Sequence, residues 1–162
     1  MLSKKTKYAI KALVLLGKNK PDSPIHIAEI AEKENIPKKY LEGILGELRN
    51  AGLLYSKKGI SGGYILGKPA EEILLAQVLR LTEGPIALVS CASINYYHKC
   101  EECDDESTCG IRKTFIAIRN ASLKILAGTS IADLIRDEHL PAESIDILNE
   151  NGYLIKEMRI FG

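Results

Sequence analysis

Between Ile27 and Lys68 the spacing of apolar residues changes once, at Gly52, and that change limits the folds open to the chain. Before it, "IHIAEIAEKENI" and "KKYLEGILGELRNAG" carry apolar residues at helical steps. Ile27, Ala28, Ile30 and Ala31 mark the first run; Tyr40, Leu41, Ile44, Leu45 and Leu48 mark the second. Asn35 lies near the exit of the first. Pro37 suits the first turn of the next, where no backbone donor is needed, and Gly52 stops it. After it, Leu53–Lys57 and Tyr64–Lys68 read as strands flanking "KGISGG", a hairpin with a flexible basic tip. Two short helices joined by a tight turn and followed by a basic hairpin form a winged helix-turn-helix.

The surrounding segments extend this to a mainly α chain with a small β-hairpin wing and a long dimerisation helix. Ser3 can cap a first helix with Tyr8, Ala9, Ala12, Leu13 and Leu16 on one face and Gly17 at its end; "NKPDSP" is a turn cluster. The expected organisation is a winged helix-turn-helix domain over 1–68, a connecting helix within 69–90 ("EEILLAQVLRLTEG", ended by Gly84) and a cysteine loop over 91–109. A dimerisation helix and following segment occupy 110–140. The tail over 141–162, with a short helix, an Asn151–Gly152 turn and a last strand-like run, has no functional assignment. In the long helix Ile111, Phe115, Ile118, Ser122 and Ile125 alternate steps of four and three, a narrow stripe suited to a partner helix; an internal core helix is the alternative.

No apolar run approaches the roughly 20 residues needed to span a bilayer. The lysine-flanked N-terminus superficially resembles a signal peptide, but it lacks a small-residue cleavage site and its apolar residues are periodic. It reads as an amphipathic helix of a cytoplasmic protein with reduced thiols. The net charge of +1 hides an asymmetry. Residues 1–68 carry 13 Lys/Arg and 6 Asp/Glu, a net +7, and residues 69–162 carry 9 and 15, a net −6. Such a split points to a polyanion-binding module joined to something else. Affinity for DNA comes mostly from cations set against phosphates, specificity from base edges. Lys38, Lys39, Tyr40 and Glu42 fall in the first turns of the second helix of the motif, where side chains enter the major groove; Tyr40 is equally suited to the core. Lys57 and Lys58 lie at the wing, and Gly62 and Gly63 permit close backbone approach.

All the cysteines fall in one window with the pattern C-x8-C-x2-C-x5-C: Cys91, Cys100, Cys103 and Cys109. Four thiolates at short spacings suit a tetrahedral zinc or an iron–sulfur cluster, 2Fe–2S or 4Fe–4S, equally well. Glu101, Glu102, Asp104, Asp105 and Glu106 crowd them, which disfavours a reactive free thiolate and leaves the loop self-repelling without a cation. His98 reads as a solvated loop histidine. No compact His-x-Glu plus Cys-x-x-Cys arrangement with a pocket-forming domain is present, so the chain does not read as an enzyme.

Together these residues resemble the Rrf-type bacterial winged-helix regulators, a family that includes the iron–sulfur regulator IscR, the nitric-oxide sensor NsrR and the cysteine-metabolism repressor CymR. The resemblance covers roughly residues 1–135 and is carried by "KYAIKAL", "IAEIAEKENIPKKYLEGILGELRNAGLL", the wing "KKGISGGYILGK", the cysteines before a long helix, and "GTSIADLI". It implies a homodimer on a palindromic double-stranded operator. By position Tyr40 and Glu42 match the family's recognition helix, and Lys58 stands where a wing arginine is common. Gly43 replaces a base-reading glutamine found in some members, which leaves the operator sequence open. Cluster-binding members use three cysteines and one other ligand. Cys91, Cys103 and Cys109 match the three, and Cys100 is additional. Arg112 stands where IscR-like proteins place a histidine ligand, and about Lys7 where NsrR-like proteins place an aspartate. The resemblance therefore implies an all-cysteine iron–sulfur site in which Cys100 takes the fourth place. A zinc-stapled or metal-free repressor signalled by a partner protein is the alternative, and an interaction module that never touches DNA is a third.

Overall fold

Ser3 starts the chain's first helix by chemistry rather than by periodicity: its hydroxyl accepts the Thr6 backbone N–H, one of the donors a helix end leaves unpaired. The computed structural model describes residues 2–59 and 61–136, with the backbone of two further short strands, Ile147–Leu148 and Leu154–Ile155. Helix α1 (Lys4–Lys18) buries Thr6, Ala9, Ala12, Leu13 and Leu16. Tyr8, expected on that face, is only half-buried, and Thr6 was not expected there at all. The helix runs one residue past Gly17. That glycine has a tertiary purpose: a Cβ on it would lie 2.5 Å from Ile135 Cδ1, so it lets a later helix pack close.

Helix α2 (Ile27–Glu34) ends on Asn35, whose left-handed φ of 52° turns the chain while its N–H bonds back to Ala31 and Glu32. Helix α3 (Lys38–Asn50) follows at once, with Leu41, Ile44, Leu45 and Leu48 buried. Tyr40 departs from the expected inward set: it is 45% exposed. Of the apolar residues of α2 only Ile30 is fully buried, and Ala28 is exposed. Gly52, at φ 73°, releases the chain into the wing. Strands β1 (Leu54–Lys57) and β2 (Gly63–Leu66) pair antiparallel from Leu54↔Leu66 to Lys57↔Gly63. Ile25, just ahead of α2, adds a bridge to Tyr64 through bonds of 3.0 and 2.9 Å, which ties the wing to the helix-turn-helix.

The segment expected to be one connecting helix is broken. A 3-10 turn (Ala70–Glu72) precedes helix α4 (Leu75–Thr82). Between them Ile73 is extended and fully buried. Its carbonyl accepts from Ile131 N at 2.8 Å, and Leu75 N donates to Thr129 O at 2.9 Å. Pairing with a distant segment overrides local helical preference there. Helix α5 (Gly110–Gly128) is the long element, about 28 Å at 1.5 Å per residue, and helix α6 (Ile131–Arg136) returns to pack on α1. Ser130 and Asp133 cap α6 reciprocally, with Ser130 N donating to Asp133 Oδ2 at 2.7 Å. Strands β3 (Ile147–Leu148) and β4 (Leu154–Ile155) pair antiparallel; the expected tail helix and Asn151–Gly152 turn lie outside the described residues. No described helix is long and apolar enough to cross a membrane.

The core draws Leu13 from α1, Ile30 from α2, Leu41, Leu45 and Leu48 from α3, and Ile73, Val78 and Ile131 from the later elements. Its edge carries a polar joint. The buried Thr6 hydroxyl donates to Glu83 Oε1 at 2.5 Å and lies 2.6 Å from Thr82 Oγ1, and Ser3 N donates to the same carboxylate at 2.8 Å. These donors, Thr6 first and then Ser3, hold the Glu83 carboxyl down at about 2, from an ordinary 4.5. Since the folded value lies below the unfolded one, the joint stabilises the fold fully above pH 4.5 and loses that contribution as pH falls toward 2. Glu83→Gln should therefore lower the melting temperature near neutral pH, by a margin that shrinks as the pH is lowered to about 3. Thermal unfolding of both proteins across that range checks it, and a margin independent of pH would refute the assignment.

Candidate nucleic-acid interface and cysteine loop

The start of α3 is a site of unbalanced positive charge. Its cap, Pro37, offers no side-chain bond, and its first turn holds no acid, so no side chain of that turn offsets the positive end of the helix dipole. Lys38, Lys39 and Glu42 are exposed there, and neither lysine makes an ion pair among the described residues. Other lysines are engaged within the fold: Lys5 with Glu47 at 2.7 Å, Lys11 with Glu34 at 3.0 Å and Lys33 with Glu29 at 2.7 Å. Tyr40 stands beside the lysines, its ring edge-on to Tyr8 with centroids 5.8 Å apart. The pair orients the phenol outward without burying it.

At the wing, Lys58 is exposed and makes no ion pair among the described residues, while Lys57 reaches back to Asp22, 3.3 Å from its carbonyl and 4.0 Å from its carboxylate. Gly62 and Gly63 serve the chain's own backbone. A Cβ on Gly62 would lie 2.5 Å from Lys57 O, and one on Gly63 2.5 Å from Ile25 O; Gly63 also has φ 147°. Their role within the fold is thus to close the wing tip and seat the Ile25 bridge.

The cysteine loop is ordered around one acid. Glu106, the half-buried member of the acidic run, accepts from the Tyr97 hydroxyl at 2.7 Å and from Cys100 N at 3.3 Å, and lies 3.6 Å from Arg112 Nε. Tyr97 is the main reason the Glu106 carboxyl sits low, and Glu106 in turn raises the Tyr97 phenol. Ser107 satisfies Asp105 through its N–H and hydroxyl. The self-repulsion expected of the run is thus partly relieved by the loop's own donors, and Glu101, Glu102 and Asp104 are turned to solvent.

Three thiols gather here. The neighbouring Cys109 thiol, with desolvation and the Cys100 thiol, raises the Cys103 thiol to about 11. Cys109 caps α5, its sulfur accepting from Arg112 N at 3.5 Å, and this bond above all lowers its pKa. Cys91 is buried on the short turn Ser90–Ala92, whose carbonyls accept from two arginines of α5: Arg112 Nε reaches Cys91 O at 3.1 Å, and Arg119 reaches Ala92 O. The donor set, soft sulfur at one helix end, suits a thiophilic metal or an iron–sulfur centre. No three His, Cys, Asp or Glu side chains among the described residues are already set as a metal cage. His98 is exposed.

Along α5 no residue is fully buried. Ile111, Ile118 and Ile125, seven residues apart, are 66%, 42% and 49% exposed, with Phe115 and Ser122 half-buried between them.

Residues 2–137 match the family model of Rrf2, described as an iron-dependent transcriptional regulator. The chain belongs to the Rrf2 family. An rrf2-like HTH-type transcriptional regulator of Rhodobacter capsulatus is 38% identical over 83% of this chain and 92% of its own length. CymR of Bacillus subtilis is 33% identical over 82% of this chain and 88% of its own. The solved structure of that CymR, the global cysteine regulator of B. subtilis, superposes with a TM-score of 0.71 over 86% of this chain and 98% of the other. IscR of Vibrio atlanticus is 26% identical over 96% of this chain and 88% of its own. The chain is accordingly a winged-helix transcriptional regulator of DNA-binding type and not an enzyme.

Within this Rrf2 framework several structural residues escaped the sequence. Thr6 and Glu83 carry no motif, and their partners are about 80 positions apart. Glu106 was one acid among five until its burial set it apart. Arg112 drew notice only as a missing ligand, whereas it anchors the Cys91 turn.

Proposed function

We propose that this Rrf2 regulator is a homodimer that binds a palindromic operator and whose affinity is set by an iron–sulfur centre held by Cys91, Cys100, Cys103 and Cys109. Lys38 and Lys39 meet phosphate or guanine edges, Tyr40 and Glu42 read bases, and Lys57 and Lys58 follow the backbone from a wing that Gly62 and Gly63 shape. The observation that carries the DNA surface is the pair of unpaired, exposed lysines at an acid-free helix start. Salt-dependent phosphate contacts follow from it. The heptad spacing of the exposed isoleucines of α5 supports a second copy as the covering partner.

When bound, an iron–sulfur centre supplies thiolate–iron bonds that oxidation, iron loss or nitric oxide can break. The chain's part is to convert that ligation into position. Cys109 is the cap of α5, and Cys91 sits on a turn bonded to Arg112 one helical turn further on. Thiolates drawn together from these two places fix the turn against the start of α5. Helix α5 packs on α4, and α4 on α1, which lies behind the reading helices. A second reading, a zinc-stapled or metal-free repressor signalled by a protein partner, is favoured by the higher identity to CymR than to IscR.

Three measurements test this. Protein purified without oxygen should be coloured, with iron and sulfide in proportion to chain, and Cys100→Ser should lose that absorption; a colourless protein carrying stoichiometric zinc selects the second reading. Lys38→Glu with Lys39→Glu should weaken duplex binding at least about tenfold and flatten the salt dependence by roughly one unit of slope per lysine. Unaltered binding would move the interface elsewhere. Ile118→Asp should raise the dimer dissociation constant at least about tenfold in sedimentation, since a charge replaces apolar surface at the seam. A wild type that sediments as a single chain refutes the dimer.

A further inference from the structure

Between the end of α4, the Cys91 turn and the middle of α5 lies a cleft of about 110 Å3. It is lined by Arg80 and Arg119, by Ser93 and Asn95, and by an apolar wall that includes Ile86 and Leu123. Among the described residues no acid lines it. That is notable beside the 9 Asp/Glu that residues 69–136 hold against 7 Lys/Arg, since a guanidinium there has carboxylates to pair with. Arg80 nonetheless makes no hydrogen bond or ion pair among the described residues. Arg119 bonds only to neutral acceptors, the Ala92 carbonyl and Asn120 Oδ1. Its Nε, Nη1 and Nη2 each give one bond, which leaves one N–H on each terminal nitrogen. Two guanidinium groups with spare donors and, among the described residues, no counter-charge define a site for an anion.

We propose that this cleft binds a small carboxylate, its carboxyl group taken by Arg80 and Arg119 and its short body laid against Ile86 and Leu123. Size and lining select the class. A cavity of roughly 150 Å3 holds benzene, so this one suits a molecule of about four to six heavy atoms and excludes a nucleotide. The apolar wall distinguishes a carboxylic acid from inorganic phosphate, which has no use for it. The site is separate from the thiols yet shares a support with them: the Ala92 carbonyl that Arg119 holds is next to Cys91. No cysteine lines the cleft, so the proposal does not rest on which cofactor the thiols hold.

Calorimetric titration of the protein with acetate, propionate and lactate, and with inorganic phosphate for comparison, at constant ionic strength tests the assignment. Saturable binding of at least one carboxylate, tighter than phosphate, is expected. Arg80→Gln should weaken it at least about tenfold, consistent with loss of a charge-assisted pair. This variant breaks no bond within the described fold, so it should keep the wild-type melting temperature. Lys124→Gln, on α5 outside the cleft, should bind as wild type does. Absence of saturation by about 10 mM for every carboxylate overturns the proposal. So does binding that survives Arg80→Gln unchanged, or phosphate binding as tight as the best carboxylate.

Discussion

Helix α1 is the wall that both halves of the chain share, and its small side chains make the sharing feasible. Ala9 and Ala12 are fully buried, which lets neighbouring helices approach where larger residues would hold them off, and Leu13 fills the space between. On one side α1 packs against α2, α3 and β2, the elements that face DNA in a winged helix; on the other it packs against α4 and α6. The Thr6–Glu83 joint then fixes the angle of α1 to α4 by hydrogen bonds rather than by shape alone. Interiors packed at this density do not deform gradually, so a displacement of α4 or α6 has to move α1 or break contact with it. Helices α2 and α3 and strand β2 consequently have no position independent of α4 and α6.

What was legible in the sequence follows the range of the interactions concerned. The three N-terminal helices, the Asn35 turn, the stop at Gly52 and the hairpin depend on neighbours within a few residues, and periodicity with turn chemistry recovers them. The break at Ile73, the Ile25–Tyr64 bridge and the use of Gly17 depend on partners tens of residues away, and no local pattern carries that information. The exposed lysines at the start of α3 were legible for a local reason, the absence of acids in the same turn. Gly62 and Gly63 were noticed as sites of close approach, but the backbone approached within the chain is its own. In the cysteine loop the donors were plain in the spacing; the order among the acids was not, since only burial singles out Glu106.

The separation of charge along the chain acquires a physical sense from these positions. The acidic loop presents Glu101, Glu102 and Asp104 to solvent, and the lysines of α3 and the wing carry the opposite sign at another part of the molecule. A polyanion attracted to the second surface is repelled by the first, which favours one docking orientation and keeps the thiols away from the phosphate backbone. The same repulsion leaves the loop dependent on its few internal donors, Tyr97, Ser107 and Arg112, so its order is local and easily changed. A loop held this way is suited to respond to what its thiols bind.

How large a response can such a loop send? Its ties to α5 include two arginine–carbonyl hydrogen bonds, from Arg112 to Cys91 O and from Arg119 to Ala92 O. Bonds to charged donors contribute about 1.5–3 kcal/mol each, so their gain or loss amounts to roughly 3–6 kcal/mol per chain. Reversing a two-state equilibrium from 1:99 to 99:1 takes about 5.5 kcal/mol. One loop lies at the margin of that requirement. Under the proposed pairing of two chains through α5, two such loops together exceed it, so in that arrangement a variant that unlocked only one copy of the turn would give part of the full range.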